Sequence, residues 1–441
     1  MIPFSVRRAV EIVDGQFFGP VAMLEDRFDS VSIDTRTMLP GALYVPVKGD
    51  VFDGHRFIPQ AFEKGAKLTL SEIDTPYPHI RVSNCVKAFQ ALAHAYRCQF
   101  DIPLIGITGS AGKTTTRGMV SAVLSTVYNT HSTTGNLNNQ TGVPQVIFGL
   151  MPHHQVAVVE MGTNHFGEID ALSAMSEPTI CLLTNIGEAH IEFFGSREGI
   201  FRGKTEMLAH MRPGGRIIVN GDDDYLRRIP GAFTFGFGRQ NELWAEDARE
   251  EDLFGATFTA CWGSIRLPIR LNVPGHHMIL NALSAVAVGL ALQVPPEKIQ
   301  QGLAAFSPIS GRLVVEKLPR FTLLNDVYNA NPTSMEASLQ VLSRAAGRKV
   351  CILGDMLELG SQASVLHERV AREAARLGVD VIVGVGPLFC KAMETCGGMG
   401  FAAQKDVLEK LPELLLTGDT ILVKGSRGMH LENAVESIRM L

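Results

Sequence analysis

The chain lacks an excess of charge of either sign. Its 40 lysines and arginines stand against 45 aspartates and glutamates, a net charge of −5 over 441 residues. Without a global basic field, nucleic acid and anionic membrane surfaces are not expected partners, and small anions must be held by local sites. Paired cysteines are also missing. The seven are Cys85, Cys98, Cys181, Cys261, Cys351, Cys390 and Cys396. Odd in number, scattered and without a CxxC pair, they suggest neither a disulfide framework nor a zinc site. Those inside "TICLLT" and "KVCILG" read as small buried hydrophobes. No run approaches about 18 uninterrupted apolar residues, so no membrane span is expected. The opening "MIPFSVRRAVEIVDG" has no long apolar core of a signal peptide, which leaves the cytoplasm as the expected compartment. Internal repeats, low-complexity tracts, charged tails and long flexible spacers are absent.

What is there suits a globular protein: 46% hydrophobic and 19% charged residues. A prior of roughly 150 residues per domain suggests about three domains. The first segment, 1–83, mixes short strand-like runs with turns. "GALYVPVKG" alternates between glycines as a strand would, and "RFIPQAFEKGA" forms a short helix closed by Gly65. The second segment, 84–311, opens with the amphipathic "NCVKAFQALAHAYRCQF". Apolar runs then alternate with helical stretches in "QVAVVEMG", "TICLLTNIG" and "GRIIVNGD", which predicts βαβ units and a parallel sheet. "ATFTACWGSIRLPIRLNVPG" reads as added antiparallel strands, and "HMILNALSAVAVGLAL" as a buried helix. In the third segment, 312–441, "FTLLND", "KVCILGD", "DVIVGVG" and "TILVKGS" read as buried strands. Between them, "TSMEASLQVLSRAAG" and "SVLHERVAREAARLG" read as helices ending at Gly. The fold class is α/β, with three domains.

The stretch "PLIGITGSAGKTTTR" carries the first chemistry. A strand, a glycine-rich turn and a helix in that order are the context of a phosphate-binding loop. Gly109 and Gly112 allow backbone N–H groups to approach phosphate oxygens, and the helix N-terminus adds partial positive charge. Lys113 can neutralise phosphate charge, and the Thr114 hydroxyl can reach Mg²⁺. Only two residues separate Gly109 from Gly112, where the general pattern has four before its Gly-Lys pair. The bland alternative is a strand-to-helix turn with a solvated lysine.

Phosphoryl transfer also needs metal ligands near the strand ends. Glu160 follows the strand in "VAVVEMG", and His190 follows another in "LLTNIGEAH". Alone, the first reads as a helix cap and the second as a loop histidine. Together, downstream of such a loop, they read as Mg²⁺ ligands, directly or through water. Lys204 in "GIFRGKTEML" has helical spacing that by itself reads as a solvated lysine. "DVYNANP", "GDMLELG" and "KGSRGM" are turn-rich strand ends, consistent with a substrate edge or with plain loops.

Taken in order, "DTRTMLPGALYVPVKGDVFDGHRFIPQA", "TGSAGKTT", "TGNLNNQTGVP", "EMGTNHFGEI", "TNIGEAHIEFFGS", "PGHHMILNALSA", "DVYNANPTSM", "LGDMLELG" and "KGSRGM" resemble the Mur ligases. These are the ATP-dependent amide-forming enzymes of bacterial peptidoglycan synthesis. The shortened loop is the form this family uses. "YNANPTSM" with "GDMLELG" points to the dipeptide-adding branch.

The resemblance implies a UDP-binding first domain, an ATPase-like mostly parallel central domain and a Rossmann-like C-terminal lid. It implies ATP and two Mg²⁺ ions as cofactors, with UDP-MurNAc-tripeptide and D-Ala-D-Ala as partners and a monomeric protein. It places Gly109, Ser110, Ala111, Gly112, Lys113, Thr114 and Thr115 on ATP phosphates. His277 and Asn281 fall behind the adenine, where Met278 replaces a common Asn, so one adenine contact is expected to be lost. Asp326, Tyr328, Asn329 and Asn331 belong to the lid over nucleotide and dipeptide. Thr35 and Arg36 stand where the family binds the UDP-sugar, and Asn136, Asn138 and Asn139 lie near its muramoyl and phosphate groups. Glu160 and His190 match magnesium ligands, with Thr114. Lys204 matches a lysine often carbamylated to support the second Mg²⁺; Lys113, Lys204, His190 and Glu160 form the implied catalytic set. His430 carries no assigned role.

The implied reaction activates the tripeptide carboxylate as an acyl phosphate, which the dipeptide amine then attacks. Rival readings are a family member that adds one amino acid, or glutamate to folate, and a nucleotide-dependent switch or motor. A dinucleotide-binding oxidoreductase fits less well, because Lys-Thr stands where GxGxxG would continue.

Overall fold

The structure, a computed structural model, describes residues 1–49 and 52–441. Asp50 and Val51, within the first quoted family stretch, lie outside the described residues. Three main sheets organise the chain, in keeping with a three-domain α/β architecture. The N-terminal sheet runs in the order Gln16–Phe18, His79–Arg81, Leu68–Ser71, Leu43–Tyr44, Val31–Ser32. Within "GALYVPVKG" the sheet strand covers Leu43–Tyr44, and Lys48 beyond it forms an isolated bridge with Asp53. Pro46 has no N–H to give, so the ladder stops there. The helix Ile58–Glu63 follows a tighter turn, Gly54–Phe57. Gly65 beyond it takes φ +89°, as the sequence predicts for a closing glycine.

The central sheet has nine strands. Leu104–Thr108 lies between Val156–Glu160 and Ile180–Leu183, parallel to both. Every residue of these three strands is buried, as in a parallel sheet covered on both faces. The chain order reverses at Leu104–Thr108, so a crevice opens at the carboxyl ends of the three. Leu243–Glu251, Gly255–Trp262 and Ile265–Leu271 form the antiparallel extension. The helix His276–Ala291, mostly buried, packs against the helix Lys113–Leu124 that follows the glycine loop.

The C-terminal sheet is ordered Val314–Lys317, Thr322–Asp326, Thr420–Lys424, Lys349–Gly354, Val381–Val385, Met399–Phe401. All pairs but the first are parallel. Its helix Pro332–Ser343 starts from a capping box made by Asn331 and Ser334, with Pro332 supplying a preset first turn. This helix stops at Ser343, short of the predicted Gly347. The helix Ala363–Arg376 does end beside its glycine, Gly378 at φ +71°. One apolar cluster runs from Phe4 through the central sheet to Leu339 and Phe389. A second, around Ile421 and Val435, fills another part of the C-terminal unit.

Candidate active site

The glycine loop is shaped by its neighbour strand. Gly109 has φ +153°, and a Cβ there would fall 1.9 Å from Thr184 Oγ1. Gly112 has φ +80°, and a Cβ would meet Asn281 Oδ1 at 2.7 Å. Only glycine fits both places. Thr184 donates to the Ala111 carbonyl at 2.7 Å, and Asn185 Oδ1 accepts the Ala111 N–H at 2.9 Å. The Ser110 hydroxyl oxygen accepts from the Gly187 N–H at 2.9 Å. Lys113 folds back over the turn, its Nζ donating to the Gly109 carbonyl at 2.7 Å. Burial pulls the Lys113 pKa down, against the pull of Glu160.

Glu160 ends its strand with 1% of its surface exposed. Its Oε1 accepts from Thr114 Oγ1 at 3.1 Å and from Asn138 Nδ2 at 2.8 Å. Its Oε2 is buried without a hydrogen bond and lies 3.6 Å from the equally unpartnered Arg117 Nε. A buried carboxylate oxygen left in that state is costly and favours an incoming cation. His190, at φ +62°, hydrogen-bonds through Nδ1 to Glu358 of the C-terminal unit.

Lys204 corrects the helical-spacing reading. It is 1% exposed rather than solvated. Glycines at 199 and 203 let Phe194 press against its helix: a Cβ on Gly203 would sit 2.5 Å from the Phe194 ring. Burial, reinforced by the like charge of Lys113, pushes the Lys204 pKa well below the usual lysine range.

The C-terminal unit supplies the facing wall. Asp326 and Lys424 end adjacent parallel strands, and Lys424 Nζ donates to Asp326 Oδ2 at 2.6 Å. Ser338 Oγ donates to the same oxygen at 2.6 Å, and the Leu313 N–H to Oδ1 at 3.0 Å. Burial lowers the Lys424 pKa, and Asp326 opposes that shift. The Arg312 guanidinium lies 3.9 Å from the centre of the Tyr328 ring. Asn331 Nδ2 donates to the Ser110 carbonyl at 3.4 Å, joining the wall to the glycine loop. His277 is half-buried, and burial takes its pKa to about 4. Asn281 Oδ1 accepts from Thr116 Oγ1 at 3.1 Å, while its Nδ2 faces the Met278 sulfur.

A cavity of about 630 Å³ gathers these groups. Ser110–Thr115, Asn136, Asn138, Asn139, Glu160, His190, His277, Asn281, Asp326, Tyr328, Asn329 and Asn331 all line it. Thr35, Arg36, Gly109 and Lys204 are not among its lining residues. Thr35 is buried and donates to Gln60 Oε1 at 2.9 Å, while Arg36 is exposed and forks onto Asp34. Sequence reasoning passed over Arg117, Asn185, Arg312, Glu358 and Lys424. Asn185, Glu358 and Lys424 stood inside quoted motifs, but Arg312 had no local signal. His94, Cys98 and Glu177 also bring ligand-type atoms within 4.8 Å of one another. There Arg212 already donates to Glu177 at 3.2 Å, and the Arg97 charge is felt beside it.

Comparison with known proteins gives this geometry its relatives. The Mur ligase middle domain matches residues 107–289. The Mur ligase, glutamate ligase domain matches 311–427, and the Mur ligase family, catalytic domain matches 27–97. A Bacillus subtilis (strain 168) protein named UDP-N-acetylmuramoyl-tripeptide–D-alanyl-D-alanine ligase is 34% identical over 99% of this chain and 99% of its own length. The chain belongs to the Mur ligase family. An Escherichia coli (strain K12) protein of the same name is 34% identical to this Mur ligase, covering 100% of this chain and 99% of its own. The crystal structure of MurF from Acinetobacter baumannii superposes with a TM-score of 0.94 at 33% identity, over 100% of this chain and 99% of that one. MurF from Thermotoga maritima, solved with ADP, shares the fold with a TM-score of 0.85 at 24% identity, over 93% of this chain and 97% of that one. Among the described residues, no helix is long and apolar enough to cross a membrane.

Proposed function

We propose that this Mur ligase joins D-alanyl-D-alanine to UDP-N-acetylmuramoyl-tripeptide at the expense of ATP, giving the pentapeptide precursor, ADP and phosphate. The observation that carries this reading is the likeness, over 99% of both chains, to a relative named for that reaction. The cavity supports it with a glycine loop, a buried carboxylate and a second wall drawn from another unit. Residues 1–83 would bind the UDP-sugar through Thr35 and Arg36, and 312–441 would close over the site opened by 84–311. Asn136, Asn138 and Asn139 would meet the muramoyl and phosphate end of that substrate. The protein would work as a monomer in the cytoplasm.

A carboxylate is a poor acyl donor at neutral pH. The tripeptide carboxylate would take the γ-phosphoryl group of ATP and become an acyl phosphate. The dipeptide amine would then attack the acyl carbon and lose a proton, and phosphate would leave from the tetrahedral intermediate. Positioning and charge stabilisation do most of such work. Ser110, Ala111, Gly112, Lys113, Thr114 and Thr115 would hold the phosphates, after the backbone turn at Gly109. His277 and Asn281 would stand behind the base, and Asp326, Tyr328 and Asn331 would face it from the lid. The Thr114 hydroxyl, the unpartnered Glu160 Oε2 and the His190 ring form a donor set that fits Mg²⁺, directly or through water. Bound Mg²⁺ would neutralise charge on the transferring group. Lys204 fits a carbamate: burial and the like charge of Lys113 favour its neutral amine, the form that adds to CO₂ with loss of a proton, and the product anion would offset the Lys113 charge and support a second ion.

The test is a product assay with ATP, Mg²⁺, UDP-MurNAc-tripeptide and D-Ala-D-Ala, with matched reactions containing single amino acids. A new mass equal to tripeptide plus dipeptide minus water, formed only with ATP, is expected. Phosphate release with no ligated mass would overturn the assignment.

A further inference from the structure

His190 and Glu358 are 168 residues apart in sequence and belong to different units, yet they meet through a direct hydrogen bond between Nδ1 and a carboxylate oxygen. Both are held with left-handed backbone, at φ +62° and +63°. Non-glycine residues in that region carry strain that the surrounding structure must over-determine. The surroundings do so. The Glu192 N–H lies 3.4 Å from the Glu358 carbonyl oxygen, and Gly360 packs so closely on Glu192 that a Cβ would stand 3.2 Å from it. Both side chains line the cavity that also holds Glu160 and Thr114.

An imidazole has two nitrogens, and the bond made by one sets what the other can do. With its Nδ1–H donated to a carboxylate, the ring presents the Nε2 lone pair. This is how metal-binding histidines are held in orientation and tautomer. Here the orienting carboxylate comes from the C-terminal unit. We infer that Glu358 is a positioning residue for His190, so that cation binding and docking of the C-terminal unit are coupled through this one contact. The inference rests on the reading of His190 as a ligand in the proposed function. By reciprocity, a cation that binds the oriented ring favours the docked arrangement to the same degree.

The full-length protein should be titrated with Mn²⁺ in the presence of a non-hydrolysable ATP analogue. Electron paramagnetic resonance reads free Mn²⁺, and pulsed measurements read the nitrogen coupling of a bound imidazole. Glu358→Ala is expected to weaken Mn²⁺ binding by about tenfold or more and to lose the nitrogen coupling. Glu358→Gln, which keeps an acceptor oxygen, should recover most of both. Arg369→Met is the control. It removes a different link between the units, the Arg369 bond to Glu188 at 2.8 Å, together with a bond to Glu336 at 2.9 Å inside the C-terminal unit, and at saturating Mn²⁺ it should retain the nitrogen coupling.

Unchanged affinity and coupling in Glu358→Ala would overturn the inference. So would equal loss of coupling in Arg369→Met, which would make Glu358 merely one of several structural links. A wild-type protein without nitrogen coupling would also overturn it, whatever the product assay shows. If that assay finds no ligated mass while the coupling depends on Glu358, the inference stands and the ligase reading fails.

Discussion

The central and C-terminal units each bury a lysine, in opposite ways. Lys424 ends a strand beside Asp326, with its Nζ 2.6 Å from the carboxylate and 3.1 Å from the Asn329 carbonyl. Lys204 sits in the helix Arg197–Thr205, and the charge acting on it is the like charge of Lys113. Burial depresses both pKa values, but only at Lys424 does a carboxylate oppose the shift. The same residue type is therefore held in an ion pair in one unit and left without a counter-charge in the other. The partner decides the chemistry, and burial alone does not.

The largest test of this contrast falls on Lys113, the third lysine. Lys113→Ala should lower ATP-dependent turnover by about 10³-fold, the scale of removing a group that stabilises transition-state charge. Circular dichroism should show the fold retained. Near-normal turnover would sink the role given to the glycine loop. The variant also removes the like charge acting on Lys204, so the Lys204 pKa should rise.

Breaking the paired lysine comes next. Asp326→Asn leaves a buried Lys424 without its counter-charge, a class of change that costs about 3–5 kcal/mol. The low end is expected, because the Asn329 carbonyl still accepts from Nζ. Urea unfolding monitored within the C-terminal unit checks it, and a loss under about 1 kcal/mol would show that the pair contributes little.

Lys204 should behave differently. Lys204→Met is expected to lower kcat by about 10²-fold, within the range for removing one electrostatic stabiliser. Intact-mass measurement of the wild-type protein in bicarbonate should show an added CO₂ that the variant lacks. In CO₂-free buffer the stability effect has a definite sign. The folded pKa of Lys204 is depressed, so below the ordinary lysine pKa the unfolded state binds a proton that the folded state does not. Wild-type stability therefore rises with pH between the depressed value and the ordinary lysine value of 10.5, by up to about 1.4 kcal/mol per unit. Lys204→Met should lose this slope, so its stability relative to wild type should fall as pH rises towards ~10. Parallel stability curves for the two proteins would mean that Lys204 titrates as an exposed lysine does.

The contrast also marks what was legible in the sequence. The glycine loop and the buried strands were readable because their signals are local: an apolar run, a turn that needs glycine, a helix start. That Glu160 and His190 come to the cavity was readable from their places after strands. The burial of Lys204 was not, because it depends on Phe194 packing against glycines at 199 and 203, and helical spacing is blind to that. Lys424 and Glu358 stood in turn-rich motifs that equally describe plain loops. Their partners lie 98 and 168 residues away, and only the fold brings them together. Alternation in "GALYVPVKG" carries the strand too far, because it takes no account of the missing N–H of Pro46.

The smallest expected effect sharpens the comparison most. If Lys424 is charged because Asp326 is there, replacing both should hurt less than replacing either. The double variant Asp326→Asn/Lys424→Met removes the buried charge together with its partner. An apolar side chain of similar length then fills the space. The amide introduced at position 326 offers its oxygen to the Leu313 N–H and its N–H to the Ser338 hydroxyl oxygen, while that hydroxyl still donates to the Ser334 carbonyl at 2.9 Å. Such replacements of a buried pair are often neutral or stabilising, so a net change within about 1 kcal/mol of wild type is expected. The double-mutant cycle should show a coupling of about 2 kcal/mol or more. Additive losses would mean that the two residues act on stability independently despite their 2.6 Å contact. In that case Lys424, like Lys204, would be buried without an effective counter-charge, and the distinction between the two units would disappear.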